Sequence, residues 1–433
     1  MAAEPGAPSA GLAADLVIVG AGAAGLWAAA VAARRGWSVL VLEKTPRTGT
    51  KILASGGTRC NLTTTLGPQD AARLFRGSGE RFLRRAFRAL PPAVVREHFH
   101  DLGVATSEAP LEKIFPTSGR ARDVRDALER DAREAGARIQ LDAPVVGLES
   151  TTVEGAPAWS VRVEGGASHA GRRVFLCAGG RSFPRTGCTG DGYAWLEALG
   201  LPLVETRPAL VPLASPATWV HELTGLAWQG AEVRLVRESG KLAARRRRPV
   251  LFTHRGLSGP GAMDVSVHVA REGAGEFRLA LDLFPDLERE ELRDLLIEAA
   301  RRKGAPRLSR VLPESSEGER VPRRLLQALC REAGLQEGDP SVAGIGKSAR
   351  HGLIETVKGL VVPVDGVLGY DQAEVTTGGL ALSAVNPATM EVRQCPGLHV
   401  FGELLDLDGP IGGLNFQAAW ACAELAASSL PAL

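Results

Sequence analysis

The spacing of apolar residues changes period several times along the chain, and each change predicts an element. Residues 15–20, DLVIVG, form a β-branched apolar run closed by glycine, as in a parallel strand buried on both faces. Residues 24–35, AGLWAAAVAARR, are alanine-rich and favour a helix, and Gly36 stands where that helix would stop. A second buried strand, SVLVL at 38–42, ends at Glu43 and completes a strand–helix–strand unit of about 30 residues. Residues 46–65 are rich in glycine, serine and threonine and read as a loop. Helical spacing returns at 80–90 and 92–102, parted at Pro91-Pro92, and again at 124–135. Strand-like runs at 138–141, 145–149, 161–163 and 173–178 suggest a small meander returning to the main sheet, followed by a helix from Asp191 to Gly200.

After Pro208 the character of the chain changes. Alternating runs at 231–236, 249–253 and 277–282 precede charged helical stretches at 288–303 and 322–332. From Leu360 the apolar strand pattern resumes, and a small-residue helix at about 415–427 closes the chain. The expected organisation is an α/β domain in two parts, 15–206 and 360–433. It is interrupted by an inserted β-barrel and helical domain at 207–359 and preceded by a disordered leader at 1–14.

Composition narrows the function. The formal net charge is only +2, so no overall field for nucleic acid or anionic membrane is built in. The one dense basic run is Arg245 to Arg248; a nucleic-acid patch is one reading of it, and a solvated hairpin end is the preferred one. The six cysteines form no CxxC pair, which signals neither a disulfide framework nor a metal site and fits a reducing cytoplasm. Residues 1–14 lack the basic and apolar regions of a secretory signal. Leu16 to Ala33 is uncharged for 18 residues, close to the ~20 a membrane span needs. Three glycines and a switch from strand to helix period exclude that use.

Four segments carry chemistry. Gly20-Ala21-Gly22-Ala23-Ala24-Gly25 is a GxGxxG directly after a strand and opening a helix. Such glycines allow a tight turn and let backbone N–H groups approach a pyrophosphate at the helix N-terminus. Glu43, 18 residues after Gly25, can accept hydrogen bonds from adenosine ribose hydroxyls, and it disfavours a 2′-phosphate. The loop 49–63 gathers Lys51, Ser55, Gly56, Gly57, Arg59 and Asn61, which suit phosphates and the polar edge of a ring system. Cys177-Ala178-Gly179-Gly180 is a small-residue turn after a strand, where a cofactor would find room. Finally, Gly402-Glu403-Leu404-Leu405-Asp406 precedes Gly412-Gly413-Leu414-Asn415 and a helix, whose N-terminus would stabilise an anionic reduced flavin.

Together these segments resemble the YhiN/BaiN-type flavoproteins, a family that includes enzymes called aminoacetone oxidases and a bile-acid reductase. The resemblance extends through LFTHRGLSGP at 251–260, VTTGG at 375–379 and NPATMEVR at 386–393, and so spans nearly the whole chain. The sequence departs from the family pattern at Thr58, where the family has glycine, at Cys177-Ala178, and at Leu414, where it has tyrosine. The resemblance implies a Rossmann-like FAD-binding domain of the glutathione-reductase type. It implies FAD contacts at Gly20, Gly22, Ala23, Ala24, Gly25, Glu43, Lys44, Lys51, Ser55, Gly56, Gly57, Arg59, Cys60 and Asn61. Further contacts are implied at Val145 (a backbone partner of the adenine), Ala178, Gly179, Gly180, Gly402, Glu403, Asp406, Gly412, Gly413 and Asn415.

Individual residues are given their plainer roles. Cys60 reads as a small packing residue rather than a redox thiol. His254 reads as a hydrogen-bonded histidine inside the inserted domain, and Glu403 and Asp406 as hydrogen-bonding groups rather than acid/base catalysts. The expected function is an FAD-dependent oxidoreductase acting on a small organic substrate through flavin N5, with NAD(P)H-driven enone reduction as one form. No second nucleotide fingerprint exists in the sequence, so any NAD(P)H would visit transiently. An RNA-acting flavoprotein and a non-catalytic redox sensor are the alternatives. No catalytic residue is assigned, and the oligomeric state is left open.

Overall fold

A computed structural model of the chain describes residues 12–315, 317–335 and 338–432. Residues 1–11 of the expected leader lie outside the described residues. Two compact units emerge: one runs to Thr206 and resumes at Glu374, and the other is Arg207–Ala373.

In the first unit β1 (Ala14–Val19) is almost entirely buried and pairs in parallel with β2 (Val39–Leu42) and with the strand Ser168–Leu176. Burial on both faces is why these segments lack polar alternation. The sheet has seven strands in the order 138–140, β2, β1, 168–176, 156–163, 145–153, with Leu398–Val400 also pairing in parallel on 168–176. The meander expected from short apolar runs is present, but its strands Val145–Val153 and Ala156–Val163 are longer because antiparallel pairing carries them into polar sequence.

Helix α1 (Ala23–Arg34) follows β1, and Gly36 adopts φ +89° just beyond its end, the left-handed stop that only glycine takes cheaply. The closing helix Leu414–Ser428 packs on α1: Trp27 donates its indole N–H to Glu424 at 2.9 Å, and Trp27 and Trp420 rings lie 5.6 Å apart. The 46–65 segment is less irregular than expected. It contains a short helix, α2 (Thr50–Ala54), and a strand at Thr63–Thr64 that pairs with Lys113–Pro116. Two further helices, α3 (Pro68–Arg73) and α4 (Gly79–Ala89), follow it.

The second unit carries two antiparallel sheets. One has five strands, in the order 227–228, 250–253, 256–258, 213–214, 366–367; the other has four, in the order 242–247, 232–237, 277–282, 360–362. Helices Gly259–Glu272, Arg289–Arg301, Arg323–Glu332 and Lys347–Gly359 complete a core that includes Trp228, Phe252 and Leu325. The far boundary of this unit lies at 373/374 rather than the expected 359/360. The apolar run after Leu360 is indeed a strand, but Leu360–Val362 pairs with Phe277–Asp282, and Gly366–Val367 pairs with Leu213–Ala214. Apolar patterning identified a strand without saying which sheet it joins.

Among the described residues no helix is long and apolar enough to cross a membrane. The uncharged stretch Leu16 to Ala33 divides into β1 and α1.

Candidate active site

The opening glycine turn is shaped by backbone contact. Gly20 has φ +100°, and a Cβ there would lie 2.6 Å from the carbonyl oxygen of Cys177 on the neighbouring strand. A Cβ on Gly25 would lie 1.9 Å from the Gly20 carbonyl oxygen, so α1 can approach the turn only with glycine at that position. A Cβ on Gly22 would meet nothing within 4 Å. Two glycines therefore serve chain packing and the third leaves open space at the N-cap of α1. The first-turn N–H groups of α1, including those of Ala23 and Ala24, have no partner within the helix and can receive an anion there.

Glu43 ends β2 nearly buried. Its Oε2 accepts the Ala21 N–H at 2.8 Å, and its Oε1 accepts the Thr45 N–H and hydroxyl at 2.9 and 2.8 Å. The carboxylate thus braces the glycine turn from the position at which a ribose would be read. The Glu43 carbonyl accepts the Ala143 N–H at 2.9 Å, which brings the segment leading to Val145 alongside. Lys44 turns toward Thr189 and Asp191, donating to each at 2.6 Å.

In the loop after α2, Gly56, Gly57, Thr58 and Cys60 all have φ between +55° and +68°. A Cβ on Gly57 would again meet nothing within 4 Å. The Ser55 hydroxyl donates to the Ile52 carbonyl at 2.7 Å, and Asn61 accepts the Ile114 N–H at 3.2 Å, so both side chains hold the loop. Arg59 is exposed, its guanidinium 4.6 Å from the centre of the Phe115 ring. Cys60 is fully buried, and burial pushes its thiol up to about 12, so it stays protonated and inert as a thiolate.

The third and fourth segments meet in a polar corner. Lys51 forms an ion pair with Glu403 and donates to Ser182 at 2.5 Å. Ser182 donates to Glu403, whose Oε1 also accepts the Thr376 N–H at 2.9 Å. The Thr376 hydroxyl accepts the N–H groups of Arg181 and Ser182 at 2.8 and 3.1 Å. Burial alone would lower the Lys51 ammonium, but the facing Glu403 carboxylate outweighs it and holds the group above its ordinary value. A Cβ on Gly180 would collide with Thr376 and Glu403 at 2.5 and 2.6 Å, so the space expected there for a cofactor is filled by the protein itself. A Cβ on Gly179 would meet the Cys188 sulfur at 3.0 Å. Ala178 packs against the core beside Gly20, within 3.1 Å of where a Gly20 Cβ would be.

Asp406 accepts the Gly378 N–H at 3.1 Å and Asp408 the Thr377 hydroxyl at 2.6 Å, so the VTTGG segment and the GELLD segment are locked together. Asn415, one residue into the closing helix, exchanges two hydrogen bonds of 2.9 Å with the Gly409 backbone. Gly402 has φ +76° and only the Ala24 side chain near its Cβ position, at 3.6 Å. Gly412 is open to within 3.9 Å, whereas Gly413 presses on the Thr63 carbonyl. Ser182 and Cys188 were not singled out from the sequence, and Thr376 entered only within the VTTGG run, with no role given to it. Each lies more than 100 residues from Lys51 along the chain, and no local pattern links them to it.

Two sequence expectations fail outside this site. His254 occupies a two-residue turn between Thr253 and Gly256 and is exposed, without a hydrogen bond to any described residue; the turn points its side chain outward. The arginine run is not at a hairpin end but along the strand Leu242–Arg247 and its exit, where each guanidinium faces a carboxylate. Arg247 pairs with Asp286, Arg245 lies 3.9 Å from Glu232, and Arg246 and Arg248 each lie 3.7 Å from Asp264.

An extended dinucleotide fits this arrangement, because the turn is open only where a diphosphate would approach. The HI0933-like protein Rossmann domain family matches residues 14–429. A ribosomal RNA dihydrouridine synthase of Escherichia coli (strain K12) is 30% identical over 414 residues, 95% of this chain and 97% of its own. A 3-dehydro-bile acid delta(4,6)-reductase of Clostridium scindens is 29% identical over 422 residues, covering 94% of this chain and 97% of its own. Among solved structures, the 3-ketosteroid delta1-dehydrogenase of Sterolibacterium denitrificans, in complex with 1,4-androstadiene-3,17-dione, aligns over 96% of this chain and 100% of its own, at TM-score 0.48 and 14% identity. The chain belongs to the HI0933-like Rossmann family and is an FAD-dependent oxidoreductase of the YhiN/BaiN type.

Proposed function

We propose that the protein reduces a carbon–carbon double bond conjugated to a carbonyl, with NAD(P)H as the transient electron source. One observation carries this reading. The two named relatives, each about as similar and each matched over nearly its full length, bear names that describe the same bond change. Dihydrouridine is uridine saturated at the bond next to a ring carbonyl, and the bile-acid activity saturates bonds conjugated to a 3-keto group.

Bound FAD supplies hydride transfer at its N5. The chain's own part is placement. The N-terminus of α1, open at Gly22, takes the diphosphate, and Glu43 takes the ribose on the side of the turn it already braces. Val145 lies on the segment beside Glu43, in reach of the adenine. Glycines 57, 402 and 412, with little beside their Cβ positions, leave room for the ring system to approach the backbone. Lys51, held charged by Glu403, keeps a positive group in the corner where negative charge arrives. Ser55, Gly56, Arg59, Asn61 and Asn415 form and hold the loops around that ring, and Lys44, Gly179 and Asp406 fix the loops behind it.

Anaerobic mixing of the purified yellow protein with NADPH or NADH tests the reading, followed by addition of 2-cyclohexenone or uridine-containing RNA. The expected result is loss of the flavin absorbance with one nicotinamide and its return on adding a conjugated acceptor. Absorbance untouched by either nicotinamide rules the reading out.

A further inference from the structure

The dense basic run Arg245–Arg248 is matched by carboxylates, its side chains facing Glu232, Asp264 and Asp286. A different basic surface is uncompensated. Helix α4 buries Phe82, Leu83, Ala86 and Phe87 on one side. Arg81, Arg84, Arg85 and Arg88 follow at steps of three, one and three residues, which places them on the opposite, exposed face. Arg84 pairs with Glu80 at 2.7 Å, whereas Arg81, Arg85 and Arg88 have no carboxylate partner among the described residues. A shallow depression between α3 and α4 is lined by Gln69, Arg73, Glu80, Arg84 and Arg88.

Helix α4 adjoins the segment that precedes the closing helix. A Cβ on Gly79, the first residue of α4, would lie 3.0 Å from Leu407, and one on Gly409 would lie 2.8 Å from the ring of Phe75, in the link between α3 and α4. The Leu90 carbonyl just after α4 accepts the Gln417 side chain of the closing helix at 2.7 Å. Helix α4 is therefore fastened by its buried side and its ends to the segment that precedes the closing helix, with the arginine face turned to solvent.

We infer that the exposed arginine face of α4 is a docking surface for the phosphate backbone of an RNA duplex. From Arg81 to Arg88 the helix carries four guanidinium groups along about 10 Å, a reach that can follow a phosphate strand. The apolar side of α4 is spent in the core, so the helix has no face to insert into a lipid surface. The surface names the substrate class of the reaction proposed above, a base carried in RNA, and rests on that reading for its purpose.

The test compares the parent holoenzyme with R81Q/R85Q/R88Q and with R245Q/R247Q, using a labelled RNA duplex over a range of salt. The parent binds, the triple variant loses about tenfold or more in affinity, and its salt slope falls by about 2 to 3, close to one per lost cation. The double variant stays within about twofold of the parent. Flavin content and NADPH-driven reduction of 2-cyclohexenone are unchanged in all three. Equal affinity and slope for parent and triple variant overturn the proposal, as does a parent that binds anionic vesicles but not RNA. A protein that fails on cyclohexenone yet binds RNA through the stripe would remove the proposed reaction and leave the docking surface standing.

Discussion

The opening turn at Gly20–Gly25 and the corner around Glu403 belong to the same unit, but different forces hold them. The turn is fixed by backbone against backbone: Gly20 against Cys177, Gly25 against Gly20. The corner is fixed by side chains that converge from four distant stretches, Lys51, Ser182, Thr376 and Glu403. The first kind of site tolerates almost no change at its packed positions. The second depends on charge, and its parts can be exchanged if the polar accounting is kept.

The largest expected effect separates packed glycines from the open one. G25V places a branched side chain into a gap of 1.9 Å to a carbonyl that cannot retreat, because Gly20 is itself wedged against Cys177. A loss above about 3 kcal/mol is expected, read as a collapse of the thermal midpoint or of folded yield. G22A, whose added methyl would meet nothing within 4 Å, is expected to keep the parent's melting temperature while retaining less FAD. A G25V protein as stable as the parent would mean that the turn is not packed as described.

pH should act on the strand that leads into the corner. His399 lies buried on the strand Leu398–Val400 that leads into Glu403, its Nδ1 2.9 Å from the Thr389 carbonyl, and burial lowers it to about 4. An unfolded histidine titrates near 6.5, so the unfolded chain binds more protons between about 6.5 and 4. The stability contributed is full above about 6.5, falls as pH drops through that window and levels off below about 4, by at most about 3 kcal/mol. Denaturant unfolding across this range should show the slope in the parent and a flatter profile in H399Q. Parallel profiles would clear His399 of any part in it.

K51M tests the corner directly. It leaves Glu403 with Ser182 and Thr376 but without its cation, and with Glu403 only 18% exposed the cost should be about 2 kcal/mol. K51M/E403Q should recover part of that loss, since the unpaired charge is gone. A double variant as unstable as the sum of the two singles would show that the pair does not act as a unit.

The contrast also explains what could be read in the sequence. GxGxxG, its strand, its helix and Glu43 lie within one short stretch, and their spacing alone dictates geometry, so the turn was legible. Glu403 was legible as a hydrogen-bonding residue but its partners were not, because Ser182 and Thr376 become neighbours only when 168–176 and 375–380 are in place. The strand at 360–362 was visible while its sheet was not, since apolar alternation carries no address. The arginines show a related limit: four in a row are visible in the sequence, whereas a stripe at helical spacing becomes a surface only once Phe82, Leu83, Ala86 and Phe87 are known to face inward.

The smallest expected effect has the opposite sign and lies between the two regions. Thr58 stands where the family has glycine and has φ +68°, a left-handed conformation that crowds a β-branched side chain. Its hydroxyl donates to the Gly57 carbonyl at 2.6 Å and its carbonyl accepts the Ala121 N–H at 2.9 Å, so the surrounding chain holds the strain in place. Glycine would relieve that strain but also widen the unfolded ensemble, which returns part of the gain. T58G should therefore be more stable than the parent by about 1 kcal/mol or somewhat less, measured as a higher denaturant midpoint at unchanged slope. If the loop is held by backbone, as the opening turn is, flavin content stays as in the parent. If T58G is less stable, the threonine hydroxyl is the stronger tie, and the loop belongs with the side-chain-held corner instead.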